Sequence, residues 1–523
     1  MKLMKRTIFF LCLLVVAVSC SRSNVRDGSG PVAKNPLTMT DIPDNDVIRV
    51  GEDYYMISTT MYFCPGAPIM HSRDLVHWRT VSYVFDTLED DDVYNLRGHR
   101  NAYGAGQWAA SLRYHDGVFY VLFVANDQKK SYVYRTRDII AGPWERTVFD
   151  DWFFHDPSLL FDDDGRTWVV WGNGDLRLVE LSADASSVIG EEKIIIQAPD
   201  EGWGLRAEGA HFYHIGQYYY IIEIDWPDGE LRQVTCWRSK NIEGPYESKV
   251  VLDGALSNRP ADGIAQGPVF DTQFGDWYAI QFQDHGALGR IPTLQPVTWV
   301  DGWPVMGDEG KPLAEVKVNL PDSLEEDYVW ASDEFDTPSL PLVWQWNHKA
   351  PDDWSLSERP GWLRLRAHPA LGIADARGSL TQRTVGPRCK SEVKMDVSSL
   401  APCSEAGICA FQSRSGRIGV YVAEDGTRKV VVRRRESVQF EAPFEGDEIC
   451  LRIDYVFVPE LGKKHLDTAT FQYSLDGGAT WQDSGFTLNM KYTLDYFTGY
   501  RSALYCFGSG GSVDFDWFHQ YVY

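Results

Sequence analysis

Three acidic residues stand in segments that are otherwise apolar enough to be buried. They are Asp44, Asp156 and Glu208, in the segments 41–49, 154–161 and 206–213. Burying an unpaired carboxylate is costly, so an acid in such a segment either has a cationic partner or is retained for function. One such acid alone is more often structural. Three at equivalent places in three repeats favour a catalytic role.

The chemistry that such a set could perform is cleavage of a glycosidic bond. That reaction needs a carboxylic acid to protonate the leaving oxygen, and a carboxylate that activates water or attacks on the other face of the sugar. A third acid can raise the pKa of the proton donor by like-charge repulsion and keep it protonated near neutral pH.

The elements that must position these acids are repeated hairpins. One phrase, a turn with glycine followed by alternating aromatic and β-branched residues, recurs five times, at 50–57, 116–121, 164–169, 215–220 and 274–279. We expect the glycine of each phrase to take a positive φ in a tight turn. An ordinary sandwich with repetitive hairpins is the alternative, but five units in register predict a five-bladed β-propeller over residues 35–310.

The remainder of the chain predicts a second all-β domain. Residues 311–328 are interpreted as a linker, and 329–523 as a β-sandwich whose closing segment, 510–518, is typical of a lectin-like jelly roll. Its tryptophans either line a pocket wall or form the core; they are Trp344, Trp346, Trp354 and Trp362. Glu334 and Asp516, with Asp333, could hold a structural calcium ion, because Ca²⁺ prefers several oxygen ligands.

The N-terminus indicates export. Lys2, Lys5 and Arg6 precede an apolar run from residue 8 to 18, which ends at Cys20. This pattern predicts a lipoprotein signal peptide at 1–20 with Cys20 lipidated, and a polar tether at 21–34. We therefore expect a protein held in the bacterial cell envelope, on the periplasmic or surface face of the outer membrane, that contacts membrane through its lipid only. A net charge of −24 argues against nucleic acid as a partner.

Several phrases together resemble glycoside hydrolase family 43, the β-xylosidases and α-L-arabinofuranosidases. The resemblance rests on Pro43-Asp44, His155-Asp156-Pro157-Ser158, Glu208-Gly209 and Gly289-Arg290, taken in order with 48–55, 65–78 and 297–299. The segment 354–363 resembles the sandwich appended to the β-xylosidase branch of that family.

The resemblance implies an inverting mechanism in a pocket closed at one end. Asp44 matches the general base, Asp156 the acid that raises the donor's pKa and orients it, and Glu208 the proton donor. Family members use the appended sandwich to close the pocket. No cofactor is implied for catalysis.

Three further residues match places that contact substrate. Arg290 matches the arginine that contacts the sugar being cleaved off, and its charge could also hold Asp44 ionised. Trp108 lies where the family has a stacking aromatic, with core packing as the alternative. Gln266 stands where many members have a histidine near the propeller axis, and its neutral amide could bind substrate or water.

These features predict an exo-acting hydrolase that removes xylose or arabinofuranose from a plant cell-wall polysaccharide such as arabinoxylan, xylan or arabinan. An endo-arabinanase with an open groove is the alternative within the class. A glycan-binding surface lipoprotein whose propeller has lost catalysis is the alternative outside it, although such a protein is expected to lack one of the three acids.

Overall fold

The computed structural model describes residues 30–198, 201–256, 263–323, 326–457 and 467–523. Over these residues the chain is all-β, as predicted, and its helical segments are the single 3₁₀ turns Arg97–His99, Gly286–Leu288 and Ile373–Asp375. None of the helices in these ranges is long and apolar enough to cross a membrane. The predicted signal peptide with Cys20, and the tether up to residue 29, lie outside the described residues.

The first domain is a five-bladed propeller, as predicted. Each blade is a four-stranded antiparallel sheet, numbered here blades 1 to 5 in chain order; consecutive strands form blades 2 to 5, and in blade 1 the strand Phe63–Cys64 intervenes. The strands are Asp46–Val50, Asp53–Ile57, Gly66–Ser72 and Arg79–Phe85 in blade 1; Gln107–His115, Val118–Ala125, Lys130–Thr136 and Glu145–Phe149 in blade 2; Ser158–Phe161, Thr167–Asn173, Asp175–Leu181 and Lys193–Ile196 in blade 3; Trp203–Ile215, Tyr218–Pro227, Gln233–Ser239 and Glu247–Asp253 in blade 4; and Val269–Asp271, Trp277–Asp284, Arg290–Val300 and Trp303–Met306 in blade 5.

The repeated phrase forms the hairpin between the first two strands of every blade. All five of its glycines have φ between 64° and 87°, which confirms the predicted turns; they are Gly51, Gly117, Gly165, Gly216 and Gly275. Glycine adopts this left-handed conformation without the steric cost that other residues carry. The alternating strands after each turn bury apolar side chains against the neighbouring blades, such as Leu122 of blade 2 and Val169 of blade 3.

The propeller ring is closed by a short additional sheet. Val32–Lys34 pairs antiparallel with Glu315–Lys317, and the Asn35 amide donates to the carbonyls of Leu294 (2.7 Å) and Leu313 (2.8 Å). The sequence predicts connecting segments at both places, a tether at 21–34 and a linker at 311–328. The structure has a strand in each, because Ala33 and Val316 are buried in the core between blades 1 and 5.

The second domain is a sandwich of two antiparallel sheets, as predicted. The eight-stranded sheet contains, in spatial order, Ser437–Phe444, Arg428–Arg434, Gly416–Val422, Ser404–Phe411, Arg501–Gly508, Leu380–Arg383, Gln345–Asn347 and Phe63–Cys64. The six-stranded sheet contains Leu363–Arg366, Ser512–Val522, Arg388–Asp396, Glu448–Val456, Asp467–Ser474 and Gln482–Met490. One large apolar core lies between them.

The two domains are joined through a shared sheet and a shared aromatic core. Phe63–Cys64 belongs to the propeller chain but pairs with Gln345–Asn347 of the sandwich. Tyr103 of the propeller stacks on Tyr496 of the sandwich, with ring centroids 3.9 Å apart. Burying an aromatic side chain contributes about 1.5–3 kcal/mol. The interface therefore holds the sandwich in a fixed position against the propeller.

The sandwich tryptophans and acids have structural roles. Trp344 and Trp346 are 3% and 5% exposed and lie in the sandwich core, so they do not line the pocket. The predicted calcium ligands do not form a three-ligand cluster among the described residues. Glu334 pairs with His519 at 2.7 Å and Asp516 with Lys394 at 2.8 Å. Asp516 is already paired with a cation, and Glu334 contacts an imidazole ring, so the calcium prediction is not supported.

Candidate active site

The three predicted acids lie at one end of the propeller, where the innermost strands of blades 1, 3 and 4 begin. We call this end the catalytic mouth. Asp44 and Asp156 immediately precede their strands, and Glu208 lies near the start of Trp203–Ile215. His155 links two of them, because its Nε2 is 2.5 Å from Glu208 Oε1 and 3.9 Å from Asp156 Oδ1. The structure thus brings together residues that are up to 164 positions apart in the chain.

A shared backbone bend turns these side chains towards the axis. Asp44, Asp156, Ala207 and Gln266 have φ of 53°, 45°, 45° and 59°. The left-handed conformation costs a residue other than glycine about 1–2 kcal/mol. The same conformation recurs at or near the start of the first strand of four blades, and three of these blades bear the acids. This recurrence indicates that the backbone strain serves the geometry of the site.

Asp44 forms a buried ion pair with Arg290. Both side chains are 7% exposed, and Arg290 Nη1 is 2.6 Å from Asp44 Oδ1. Burial raises the pKa of Asp44, and the Arg290 guanidinium opposes that rise. This charge therefore keeps Asp44 more readily ionised than a buried carboxyl without a partner.

Asp156 is equally buried, but no arginine bonds to it directly, and the charge of Arg290 acts on it only at a longer range. Burial raises the pKa of Asp156 to about 7; the nearby His155 opposes the rise, whereas the charges of Glu208 and Asp44 add to it. Asp44 and Asp156 are thus two buried acids with different environments, of which only Asp44 has a directly bonded cation.

Glu208 is the most accessible of the three acids, with 16% of its side chain exposed. It accepts a hydrogen bond from Asn173 Nδ2 at 3.1 Å in addition to that from His155. Burial alone would lower the pKa of His155, but Asp156 and Glu208 raise it to about 9. His155 therefore retains its proton through the neutral range.

A second pair of acids holds the backbone that carries Glu208. Asp225 Oδ1 accepts the N–H of Ala207, the left-handed residue before Glu208, at 2.9 Å. Behind it, Glu223 is 1% exposed and accepts the Trp237 indole N–H at 2.6 Å. Burial raises the pKa of Glu223 well above its usual range, and the charge of Asp225 adds to this.

The two acids near Asp44 in the sequence have other partners. Asp46 accepts hydrogen bonds from Arg113 Nη1 (2.6 Å) and from the backbone of Leu112 (2.8 Å). Asp41 accepts the backbone N–H groups of Arg290 (2.7 Å) and Gly499 (2.8 Å), and so connects the site to the sandwich. Of the three, Asp44 alone pairs with the Arg290 side chain.

The remaining predicted residues lie close to the acids or to the segments that carry them. Arg290 Nε and Nη2 are buried and have no hydrogen-bond partner among the described residues. Trp108 packs edge-on against His155, with ring centroids 5.7 Å apart. A Cβ added to Gly209 would lie 2.6 Å from the Gln266 side chain, so Gln266 packs directly beside the Glu208 segment. Arg290 thus has donors left over for a ligand.

The sandwich completes the pocket wall through the segment 491–499. Phe497 lies 4.6 Å from the Arg290 guanidinium and packs edge-on against Trp108. Burial raises the pKa of Tyr492 far above its usual range, and the charge of Arg290 opposes that rise. Sequence reasoning missed both residues and also His155, for which adjacency to Asp156 was the available signal.

Fold and site together define a glycoside hydrolase: a propeller with three carboxylates and a buried arginine at one mouth, covered by a sandwich segment. Residues 33–304 match the family model described as glycosyl hydrolases family 43, and residues 332–520 match the beta xylosidase C-terminal concanavalin A-like domain. The chain belongs to glycoside hydrolase family 43.

Relatives cover nearly the whole chain. A beta-xylosidase of Formosa agariphila is 29% identical over 92% of this chain and 89% of its own length. A non-reducing end alpha-L-arabinofuranosidase of Bacteroides ovatus is 29% identical over 93% of this chain and 94% of its own. Among solved structures, a bifunctional GH43-CE protein of Bacteroides eggerthii has a TM-score of 0.87 and 40% identity over 94% of this chain. This chain spans 64% of that protein.

Proposed function

We propose that the protein is an exo-acting, inverting hydrolase that removes single xylose or arabinofuranose units from the non-reducing ends of plant cell-wall polysaccharide. The proposal rests on the catalytic mouth, where three carboxylates and the unpaired donors of Arg290 lie beneath Phe497 of the sandwich. A covered mouth accepts the end of a chain but not its middle. The similarity to both xylosidases and arabinofuranosidases supports a pentose.

Asp44 is the proposed base. Held ionised by Arg290, its carboxylate takes a proton from water as the water oxygen bonds to the anomeric carbon. In the same step the bond from that carbon to the leaving oxygen breaks. The anomeric configuration is inverted, which requires the base and the donor to stand roughly 6.5–9.5 Å apart.

Glu208 is the proposed donor, since it is the accessible acid and lies within hydrogen-bond distance of His155. It transfers its carboxyl proton to the leaving oxygen, so that a neutral sugar alcohol departs. Asp156 is proposed to favour the protonated donor through its charge and to orient His155. Arg290 and Trp108 are proposed to contact the terminal pentose, and Gln266 to bind substrate or water beside it. No calcium is proposed at Glu334 and Asp516, because Glu334 bonds to His519 and Asp516 to Lys394.

The test is release of p-nitrophenol from the β-D-xyloside and the α-L-arabinofuranoside by protein lacking residues 1–20. We expect turnover of at least one substrate. A Glu208→Gln variant, which removes the proton donor but keeps the shape, is expected to lose about 10²–10⁴-fold in rate. Turnover of neither substrate, or full activity in the variant, would contradict the proposal.

We further propose that the protein is exported and anchored to the cell envelope through lipid on Cys20. The proposal rests on the basic residues, apolar run and cysteine of the first twenty positions. Full-length protein is expected in the membrane fraction of the producing cells, and a Cys20→Ala variant is expected to leave it. Equal soluble fractions for both proteins would contradict the anchor.

A further inference from the structure

Blade 4 extends beyond the catalytic acids at the mouth. Its first strand, Trp203–Ile215, has 13 residues, and its second, Tyr218–Pro227, has ten. Glu208 pairs with Ile224, whereas Trp226 lies further towards solvent and pairs with Leu205. Two strand residues span about 7 Å, so Trp226 stands roughly one sugar ring outward from the level of Glu208.

This extension encloses a cavity of about 400 Å³ lined by Gly204 and the segment 226–231. A Cβ at Gly204 would lie 3.8 Å from two carbons of the Trp226 ring. Any larger side chain at position 204 would therefore cover that ring. With glycine there, part of the indole faces the cavity, and Trp226 is partly exposed.

The Trp226 ring is held firmly and is connected to the active site. Its Nε1 donates to the carbonyl of Glu230 at 2.9 Å, and the Arg232 guanidinium lies 4.8 Å from the ring centroid. Arg232 is fixed by Asp284 at 2.6 Å. Asp284 is the cross-strand neighbour of Arg290, which binds Asp44.

We propose that Trp226 is the stacking platform for the leaving-group sugar, the unit that follows the terminal pentose in the chain. The inference rests on the proposed function. Glu208 must reach the oxygen between these two sugars, so the second sugar lies outward from Glu208, in the direction in which blade 4 extends. A rigid indole with one open face suits the apolar face of a neutral sugar, and the exposed carboxylates of Asp228 and Glu230 can accept hydrogen bonds from its hydroxyls.

The test measures binding in the inactive Glu208→Gln protein by calorimetry. The ligands are xylose and β-1,4-xylobiose, and arabinose and α-1,5-arabinobiose. We expect one disaccharide to bind more tightly than its monosaccharide. Adding Trp226→Ala should weaken binding of that disaccharide about tenfold and leave the Kd of the monosaccharide as it was. Trp226→Phe should retain most of the preference.

The matched control is Trp299→Ala. Trp299 is also a partly exposed tryptophan, but it lies at the far end of the strand that begins at Arg290, and both Kd values should stay unchanged. If Trp226→Ala leaves the preference for the disaccharide intact, or weakens both sugars equally, the platform is refuted while the proposed function stands. If none of the four sugars binds to the Glu208→Gln protein, both proposals are overturned.

Discussion

At the scale of single residues, Arg290 separates the protonation of Asp44 from that of Asp156. Both carboxyls are buried, but the guanidinium contacts only Asp44. Because a base must be ionised to act, the acidic limb of the pH profile of kcat/KM should report the pKa of Asp44. The pH at which that limb falls therefore reports on the ion pair between Asp44 and Arg290.

Replacing Arg290 by glutamine should move that limb to higher pH. Burial raises the pKa of Asp44 and Arg290 opposes the rise, so removing the cation raises the pKa further, and more acid remains protonated at a given pH. We expect profiles recorded from pH 4 to pH 9 to show the shift, and Arg290→Lys, which keeps the charge, to reverse most of it. Coincident acidic limbs in the wild type and Arg290→Gln would contradict this account.

Asp156 should lower the stability of the protein while it serves catalysis. Its pKa is about 7 when folded, against the 3.8 that is usual for an exposed aspartate. Between these values the folded state binds more protons than the unfolded state, so stability is lost as the pH rises from about 4 to about 7. An Asp156→Asn variant, which is never charged, escapes this loss.

We expect Asp156→Asn to have a higher Tm than the wild type at pH 8 and a much lower activity. The gain in Tm should grow from pH 4 to pH 7 and then stay constant, as followed by calorimetry across that range. A gain in Tm that is largest at pH 4 would show that the carboxyl is not the origin of the effect.

At the scale of elements, the bend before Glu208 depends on the adjacent strand. Asp225 accepts the N–H of the left-handed residue Ala207, so we expect it to position Glu208, the proposed donor. Leaving this buried N–H without an acceptor costs about 1–3 kcal/mol, and the bend is the feature that would relax.

Asp225→Ala should therefore lower kcat about tenfold with KM changed by less than a factor of about two. Asp225→Asn keeps an oxygen acceptor for Ala207 and should restore most of kcat. Steady-state kinetics on an aryl pentoside measure both constants. Equal kcat values in the alanine and asparagine variants would refute a positioning role.

The repeated elements were predictable from the sequence, but the bends were not. Gly51 and its four equivalents mark hairpins because glycine tolerates positive φ, and this local signal is sufficient to predict the blades. Asp44, Asp156, Ala207 and Gln266 adopt the same region without glycine, because tertiary packing outweighs their local preference. No residue type in the sequence predicts a positive φ at these four positions.

At the scale of the whole molecule, the site is shared between the two domains. Phe497 of the sandwich covers Arg290, and Asp41 of the propeller binds the backbone of Gly499. The sequence indicated a sandwich that closes the pocket, but the tryptophans considered for the wall, such as Trp344, lie in the core instead. The packing of the two domains decides which side chains meet across more than two hundred positions. A single sequence does not predict these contacts.

Removing the Phe497 ring should open the pocket. We expect Phe497→Ala to raise KM about tenfold, through the lost contact with Arg290 and the entry of water. The matched control is Leu494→Ala in the same segment, whose side chain is 73% exposed and should leave KM unchanged. Unaltered KM in Phe497→Ala would mean that the sandwich does not close the site.

Proton NMR of the sugar first released from an oligosaccharide is the most direct test that the protein is an exo-acting, inverting hydrolase. The substrates are β-1,4-xylotriose and α-1,5-arabinotriose, incubated with wild-type protein and with Glu208→Gln. We expect one of them to lose a single terminal pentose. The released sugar should appear first in the anomeric configuration opposite to that of the cleaved bond. Glu208→Gln should release none at a comparable rate. Product of the same configuration as the bond, or cleavage of internal linkages in longer chains of the same sugar, would contradict an inverting, exo-acting site built on Asp44, Asp156 and Glu208.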